Sequence, residues 1–315
     1  MSLVGERVAD RKVLRLVRAF LRAGVIEEHG GFAASLTGTP QGGIASPLLA
    51  NIYLSVLDRH FQHAWETEMS PAWRRAHRRH KGLPNYRLVR FADDFVLLVK
   101  GSREQAEALR DEIGTLLAEQ LHMTLSDDKT LVTHIDDGYD FLGFHIQRKQ
   151  RDDGRHVVLT WPSKNSLAAV KRKIKQATVR NTTSRSLADV LRIVNPILRG
   201  WAAYFRYGAS KRTFTYLAHW AWWRLIYWLR RKHAGIRWKH LRRRYYGAGG
   251  IAEDGIVLYD PAYVQVVRYR FRGAQICTPF NLDEVDPAGA RFRHTDHDDV
   301  GFIGQVSEQL TLAPT

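Results

Sequence analysis

The stretch RLVRFADDFVLLVKG, residues 87–101, constrains the fold more than any other part of the chain. Two apolar runs flank a pair of adjacent carboxylates, Asp93 and Asp94. Like charges side by side repel, and burial would add a desolvation cost. The pair therefore belongs at a turn, and the runs become the two strands of a hairpin. Hairpin turns usually carry Asn-Gly or Asp-Gly, yet no glycine stands here. Two readings follow. The turn is simply acidic and exposed, or it holds a divalent cation whose charge offsets the repulsion. Mg²⁺ is a hard ion, held by one or two carboxylates plus substrate phosphates. Two such ions, about 3.5–4 Å apart, are a common device for phosphoryl transfer.

The chain around this hairpin alternates helix with strand. Asp10 can cap a helix in which Val13, Leu14, Val17, Phe20 and Leu21 form an apolar stripe and Gly24 ends the run. A turn-rich stretch follows, with a short strand expected around residues 32–36. Ser46 and Pro47 read as N-cap and first residue of a second helix, with Leu48, Leu49, Ile52, Tyr53, Val56, Leu57 and Phe61 at helical spacing. Residues 74–85, RRAHRRHKGLPN, read as a basic loop. After the hairpin, Ser102 with Gln105 three residues on predicts a capping box and an amphipathic helix. Short strands are expected within residues 123–135, 139–149 and 155–163. The first ~160 residues are thus α/β or α+β. Residues 163–246 read as all-helical. The remainder is rich in Gly, Asp and Pro, with a strand-like run at 262–276 and a loose tail.

Charge divides the chain at the same place. Residues 163–246 hold 21 Lys and Arg against a single acid, Asp189, a balance of +20. The other 27 bases and 31 acids give −4. Six of the nine tryptophans also fall in the basic part. Mixed signs are the norm on a solvated face. A one-sign segment interleaved with Trp and Tyr instead fits a surface that neutralises phosphates and stacks on bases. The single cysteine, Cys277, excludes a disulfide framework and a multi-cysteine zinc site, and suits a reducing compartment. No apolar run reaches signal-peptide or membrane-span length. These features together lead us to expect a soluble, intracellular (cytoplasmic) protein associated with nucleic acid.

Four blocks, in order, carry a family resemblance. Phe91-Ala92-Asp93-Asp94 between apolar strands resembles the metal-binding turn of reverse transcriptase palm domains. GTPQGGIASPLLANIYLSVLD, residues 38–58, resembles the block that precedes it in group II intron reverse transcriptases. DKT at 128–130 and FLGF at 141–144 follow in that family's order. NPILRGWAAYFRYG, residues 195–208, is similar to its maturase, or thumb, domain. The chain is identified as a member of the group II intron-encoded reverse transcriptases and maturases over roughly residues 9–246.

The resemblance implies an α+β fold: a partial palm over residues 1–160, then an all-helical basic thumb or maturase domain over 163–246. Residues 247–315 form a partly loose extension. It implies RNA-templated DNA synthesis with Mg²⁺ or Mn²⁺, and intron RNA binding in splicing. Asp93 is the main metal ligand and Asp94 a second. Phe91 and Ala92 complete the turn. Pro40, Gln41 and Gly42 match the loop beside nucleotide and template; read as residues alone, that loop is an ordinary helix entry. Lys129 lies near the triphosphate or is a solvent-exposed lysine. Leu142 and Gly143 shape a hairpin under the primer end or simply pack a sheet. In the helical part, Trp201 and Phe205 read as core, as do Trp220, Trp223 and Tyr227. Arg199, Arg206, Lys211, Arg212, Arg230, Arg231, Lys232, Arg242, Arg243 and Arg244 are the phosphate-contact candidates.

Two expected parts have no counterpart in the motifs. The family carries a further catalytic Asp in an aromatic-Asp strand, some tens of residues before PQGG. Residues 1–39 offer only Glu6, Asp10, Glu27 and Glu28, none of them after an aromatic in an apolar strand. The 315 residues are therefore expected not to polymerise alone. The partner in synthesis would be a DNA primer or target, with an N-terminal fragment supplied in trans. The alternative is an RNA-binding maturase, or splicing cofactor, without polymerase activity. The tail RFRHTDHDDVGF, 291–302, reads as a flexible polar segment, not the metal-dependent nuclease of many relatives.

Overall fold

The computed structural model describes residues 1–23, 45–126, 130–247 and 249–267, and the backbone of four short strands at 25–26, 32–33, 301–306 and 311–312. The chain divides into two compact units, Met1–Tyr139 with Asp298–Thr315, and Asp140–His297.

The first unit opens with α1 (Ser2–Gly5) and α2 (Arg11–Arg22). Asp10 caps α2, its carboxylate accepting from the N–H groups of Lys12 and Val13. The two-residue strands β1 (Val25–Ile26) and β2 (Phe32–Ala33) pair antiparallel. Helix α3 spans Ser46–Ala64. Pro47 sits in its first turn as expected, but Ser46 is already helical and Ala45 takes the cap position without a side-chain bond. A π-helical turn at Trp65–Met69 leads into α4, Ala72–His80. The basic stretch read as a loop is largely this helix. Arg, Ala and His tolerate helix well enough, and Arg78 ties its C-terminal half to the Pro84 carbonyl and Glu68.

Strands β3 (Asn85–Phe91) and β4 (Asp94–Lys100) form the predicted hairpin, with Phe91 opposite Asp94. Helix α5 (Arg103–Leu121) begins with the predicted capping box between Ser102 and Gln105. Short strands β5 (Met123–Thr124) and β6 (Leu131–His134) follow. The strand Gly301–Val306 lies antiparallel between β4 and β6, so the sheet runs β3, β4, this strand, β6. Phe95, Leu97 and Val99 of β4 alternate onto one face of the sheet. There they meet Leu54, Leu57 and Phe61 of α3 and Leu109, Ile113 and Leu117 of α5, which form the core.

An antiparallel sheet of β7 (Tyr139–Phe141), β8 (Phe144–Gln150) and β9 (His156–Pro162) lies, from Asp140 on, in the second unit. Burial holds the Tyr139 hydroxyl at a pKa of about 12. Four helices follow: α6 (Lys164–Ala177), α7 (Leu187–Phe205), α8 (Lys211–Lys232) and α9 (Trp238–Tyr245). Leu187, Val190, Leu191, Val194 and Leu198 line the inner face of α7 at helical spacing and are fully buried. The one acid of the basic segment, Asp189, sits in the first turn of α7. Its pKa is held low chiefly by the Ser186 hydroxyl, with Arg192 adding to the effect.

Helix α8 is apolar on two sides, and the structure corrects which side is core. The buried face is Phe214, Leu217, Ala221, Leu225 and Trp228. Trp223 and Tyr227, read from the sequence as core, are 39% and 53% exposed. Phe205 is buried and Trp201 partly so, as expected. Small strands β10 (Tyr246–Gly247), β11 (Gly250–Glu253) and β12 (Ile256–Val257) form a meander. Glu253 accepts from the Ala188 N–H at the start of α7, and Asn195 bonds the Val257 carbonyl and the Tyr259 N–H. Residues 262–267, expected to begin a strand, form the end of a short 3₁₀ turn and irregular chain. No helix among the described residues is long and apolar enough to cross a membrane.

Candidate functional site

Asp93 and Asp94 stand at the tip of the β3–β4 hairpin. Only Ala92 and Asp93 separate the strands, so the connection is a two-residue turn. Ala92 adopts φ 56°, a left-handed conformation that costs an ordinary L-residue about 1–2 kcal/mol. The surroundings hold it there. Tyr86, Leu88 and Arg90 are the inward-leaning positions of β3, and period-two geometry aims Arg90 at α3. Its guanidinium donates to both carboxylate oxygens of Asp58, to Asn51 Oδ1 at 2.9 Å, and to the Ala92 carbonyl. One side chain thus fastens the acidic turn to the helix behind it. A bidentate Arg–carboxylate pair with only 11% of the Arg90 side chain exposed is a stiff fork.

This clamp was not read from the sequence. Its signal was present: a cation at Arg90, following Tyr86 and Leu88 at the inward-leaning positions of the strand. Naming its partner needed the packing of α3 across β3.

The Asp pair lies on the outward side of this clamp. Asp93 is exposed and Asp94 half-buried, and Phe91, opposite Asp94, is 63% exposed. Carboxylate oxygens at this tip fit a hard divalent ion by donor chemistry. No group of three or more His, Cys, Asp or Glu converges among the described residues, so the turn offers a partial ligand set. Titration of the chain with Mn²⁺ should therefore give weak, roughly millimolar binding. The Asp93→Ala/Asp94→Ala variant should lose it, and Arg90→Leu should weaken it by freeing the turn. Equal binding by wild type and the double variant would leave the turn merely acidic. Pro40, Gln41, Gly42 and Lys129 lie outside the described residues.

The FLGF segment makes a second clamped turn. Leu142 (φ 49°) and Gly143 (φ 77°) join β7 to β8. Positive φ at both central residues suits a tight hairpin. The Gly143 carbonyl accepts from the Ser163 N–H and the Ser166 hydroxyl, both at 2.9 Å, and Tyr204 donates to the Leu142 carbonyl. A Cβ on Gly143 would lie 2.7 Å from Ser166 Oγ, so glycine is needed for space as well as for φ. The turn borders a cleft of about 480 Å³ that Lys173, Trp201 and Tyr204 also line.

The structure separates the ten basic candidates by what they already hold. Arg212, Arg230, Arg242, Arg243 and Arg244 are exposed, and so is Arg231, whose Nε reaches the Tyr227 carbonyl at 3.3 Å. Arg242 and Arg244 lie over the rings of Tyr246 and Tyr245. Lys232 instead donates to the carbonyls of Thr183 and Arg185 at 2.9 and 2.8 Å, closing the end of α8 onto the loop before α7. Lys211 donates to the Ala262 carbonyl, and Arg199 lies over the Tyr259 ring. Arg206 is half-buried, its Nε without a partner. Lys232, Lys211 and Arg199 therefore also hold the fold.

Comparison with known proteins agrees with both halves. The model of the reverse transcriptase (RNA-dependent DNA polymerase) family matches residues 6–146. That of the group II intron maturase-specific domain matches residues 167–246. "Protein YkfC" of Escherichia coli is 34% identical over 180 residues, 53% of this chain and 47% of that protein. "Group II intron-encoded protein LtrA" of Lactococcus lactis is 30% identical over 190 residues, 47% of this chain and 32% of its own length. "Nuclear intron maturase 4, mitochondrial" of Arabidopsis thaliana is 28% identical over 154 residues, 41% and 19% of the two chains. The chain spans about half or less of the length of these curated relatives.

Proposed function

The chain belongs to the group II intron reverse transcriptase and maturase family, and from that premise we propose that it binds intron RNA and contributes the palm turn of an RNA-templated DNA polymerase. The observation that carries the RNA half is the charge division, 21 bases to one acid over residues 163–246, with the outward arginines of α8 and α9 on the surface. Residues 163–246 act as the thumb or maturase part, residues 1–160 as the partial palm, and 247–315 as an extension.

Reverse transcriptases as a family use a divalent metal. Here Asp93 would be the main ligand and Asp94 the second, with Mg²⁺ or Mn²⁺ the ion their hard oxygens suit. When bound, such ions stabilise the attacking and leaving oxygens at a nucleotide phosphate. Arg90 keeps the turn in place through the Ala92 carbonyl. Phe91 and Ala92 shape the turn beside the nucleotide, and Pro40, Gln41 and Gly42 would contact nucleotide and template. Lys129 neutralises triphosphate or returns a proton to pyrophosphate. Arg199, Arg206 and Lys211 add to the outward arginines along the RNA backbone.

A second reading is a maturase without polymerase activity. Among the described residues two carboxylates stand at the turn, a partial ligand set. Primer extension separates the readings. The 315-residue chain alone is expected to extend no RNA-templated DNA primer above background. Addition of a fragment carrying an aromatic-Asp strand is expected to restore extension, and Asp93→Ala to abolish the restored activity. Robust extension by the chain alone would overturn this account of the missing ligand. Failure of every such fragment would leave the maturase reading.

A further inference from the structure

The outer face of α8 carries an aromatic ribbon in which Trp220 packs partly against the hydrophobic core and Tyr216, Trp223 and Tyr227 are exposed. Tyr216, Trp220, Trp223 and Tyr227 follow at helical spacing, so they share one narrow arc of the helix. Tyr216, Trp223 and Tyr227 are 48%, 39% and 53% exposed, and Trp220 is half-buried. The Trp223 and Tyr227 rings lie 5.8 Å apart and 30° from parallel. Eleven residues of helix rise about 16 Å, enough for a site of roughly four unpaired nucleotides.

Charge frames the ribbon on three sides. Lys171 of α6 reaches over it, donating to Tyr216 Oη at 2.9 Å with its ammonium 5.0 Å from the Trp220 ring. Arg212 precedes the ribbon, and Arg230 and Arg231 follow it on the same side of the helix. Neither α6 nor α8 contains an acid. An apolar stripe of this length is uncommon on a surface with no partner. Cations along the edges and flat π faces between them are complementary to a strand of phosphates with open bases. Duplex RNA would offer phosphates but keep its bases stacked inside.

Resting on the RNA-binding reading above, we propose that the Tyr216–Trp220–Trp223–Tyr227 face of α8 is a stacking platform for unpaired nucleotides, distinct in role from the arginines that contact phosphate. The ribbon selects single-stranded loops or junctions, and the surrounding bases set the overall affinity.

The test uses the full chain and three probes: a short oligouridylate, an RNA duplex of equal length, and poly-L-glutamate. Trp223→Leu/Tyr227→Leu keeps apolar bulk but removes the π faces. Trp223→Phe/Tyr227→Phe keeps them. The Leu variant is expected to bind oligouridylate at least about tenfold more weakly, with unchanged salt slope, unchanged duplex affinity and unchanged circular dichroism. The Phe variant is expected to stay close to wild type. Wild-type affinity in the Leu variant, or an equal loss on duplex, would overturn the platform while leaving RNA binding intact. Binding of polyglutamate with the same dependence on Trp223 and Tyr227 would overturn it in favour of an acidic protein partner. Absence of binding to either RNA by wild type would remove the RNA-binding reading itself.

Discussion

RNA binding by this chain should weaken by about 250- to 1000-fold as salt rises from about 50 to about 200 mM, on a log–log slope near −4 to −5. The figure rests on roughly 6 of the 21 basic residues of the helical segment touching phosphate, each releasing counterions at about −0.7 to −0.9. Geometry says which residues to test. Arg242, Arg243 and Arg244 are exposed on α9, while Leu241 and Tyr245 of the same helix are buried. Replacing the three arginines by alanine should flatten the slope by up to about 3 units and leave the core intact. Lys232 is the contrasting case. Its ammonium holds the Thr183 and Arg185 carbonyls. Lys232→Ala should lower thermal stability and barely change the slope. A salt series of structured-RNA binding on the wild type and both variants measures this. A wild-type slope near zero would remove the phosphate-binding surface and the maturase reading with it.

Trp228→Ala should destabilise the helical unit by about 3–5 kcal/mol. Trp228 is fully buried among Leu187, Leu191, Leu225 and Leu229, all members of the same core. Its indole N–H donates to Thr182 Oγ1 at 3.0 Å, so truncation also removes a buried hydrogen bond. Trp223→Leu, one and a half turns earlier on α8, removes a ring that is 39% exposed and should shift stability far less. Chemical denaturation followed by circular dichroism compares the two. Equal destabilisation would mean that the two faces of α8 have been assigned the wrong way round.

The contrast between these tryptophans shows where sequence reading stopped. Helix α8 has apolar residues on both sides, and periodicity alone selects neither. Trp220, Trp223 and Tyr227 made as regular a stripe as Leu217, Ala221, Leu225 and Trp228. Packing against α6 and α7 chose the second stripe, because its smaller aliphatic members interdigitate with Val170, Ile174, Val190 and Val194. Trp223 and Tyr227 of the bulky stripe were left outside, while Trp220 packs partly against that core. Residues 74–85 misled in a different way. Their charge suggested a loop, but charge does not oppose helix, and Arg78 found acceptors in Glu68 and Pro84.

Features written in short-range chemistry were legible without coordinates. Asp10 and the Ser102–Gln105 box announced their helices because caps satisfy backbone N–H groups two or three residues away. The Asp93–Asp94 pair announced a turn because adjacent like charges resist burial. The basic segment announced a strongly positive surface because charge is additive along a chain. The grip on the acidic turn was not legible. Arg90 reaches Asp58 and Asn51 across 32 and 39 residues, and Tyr204 reaches Leu142 across 62. The sequence by itself therefore determined the hairpin, its acidic tip and the sign of the charge on the helical segment. Only the tertiary structure decided what holds the tip, which face of α8 meets water, and which cations remain open to phosphate. Such choices depend on which distant side chains the packing of helices brings within hydrogen-bond reach, and no local spacing encodes that.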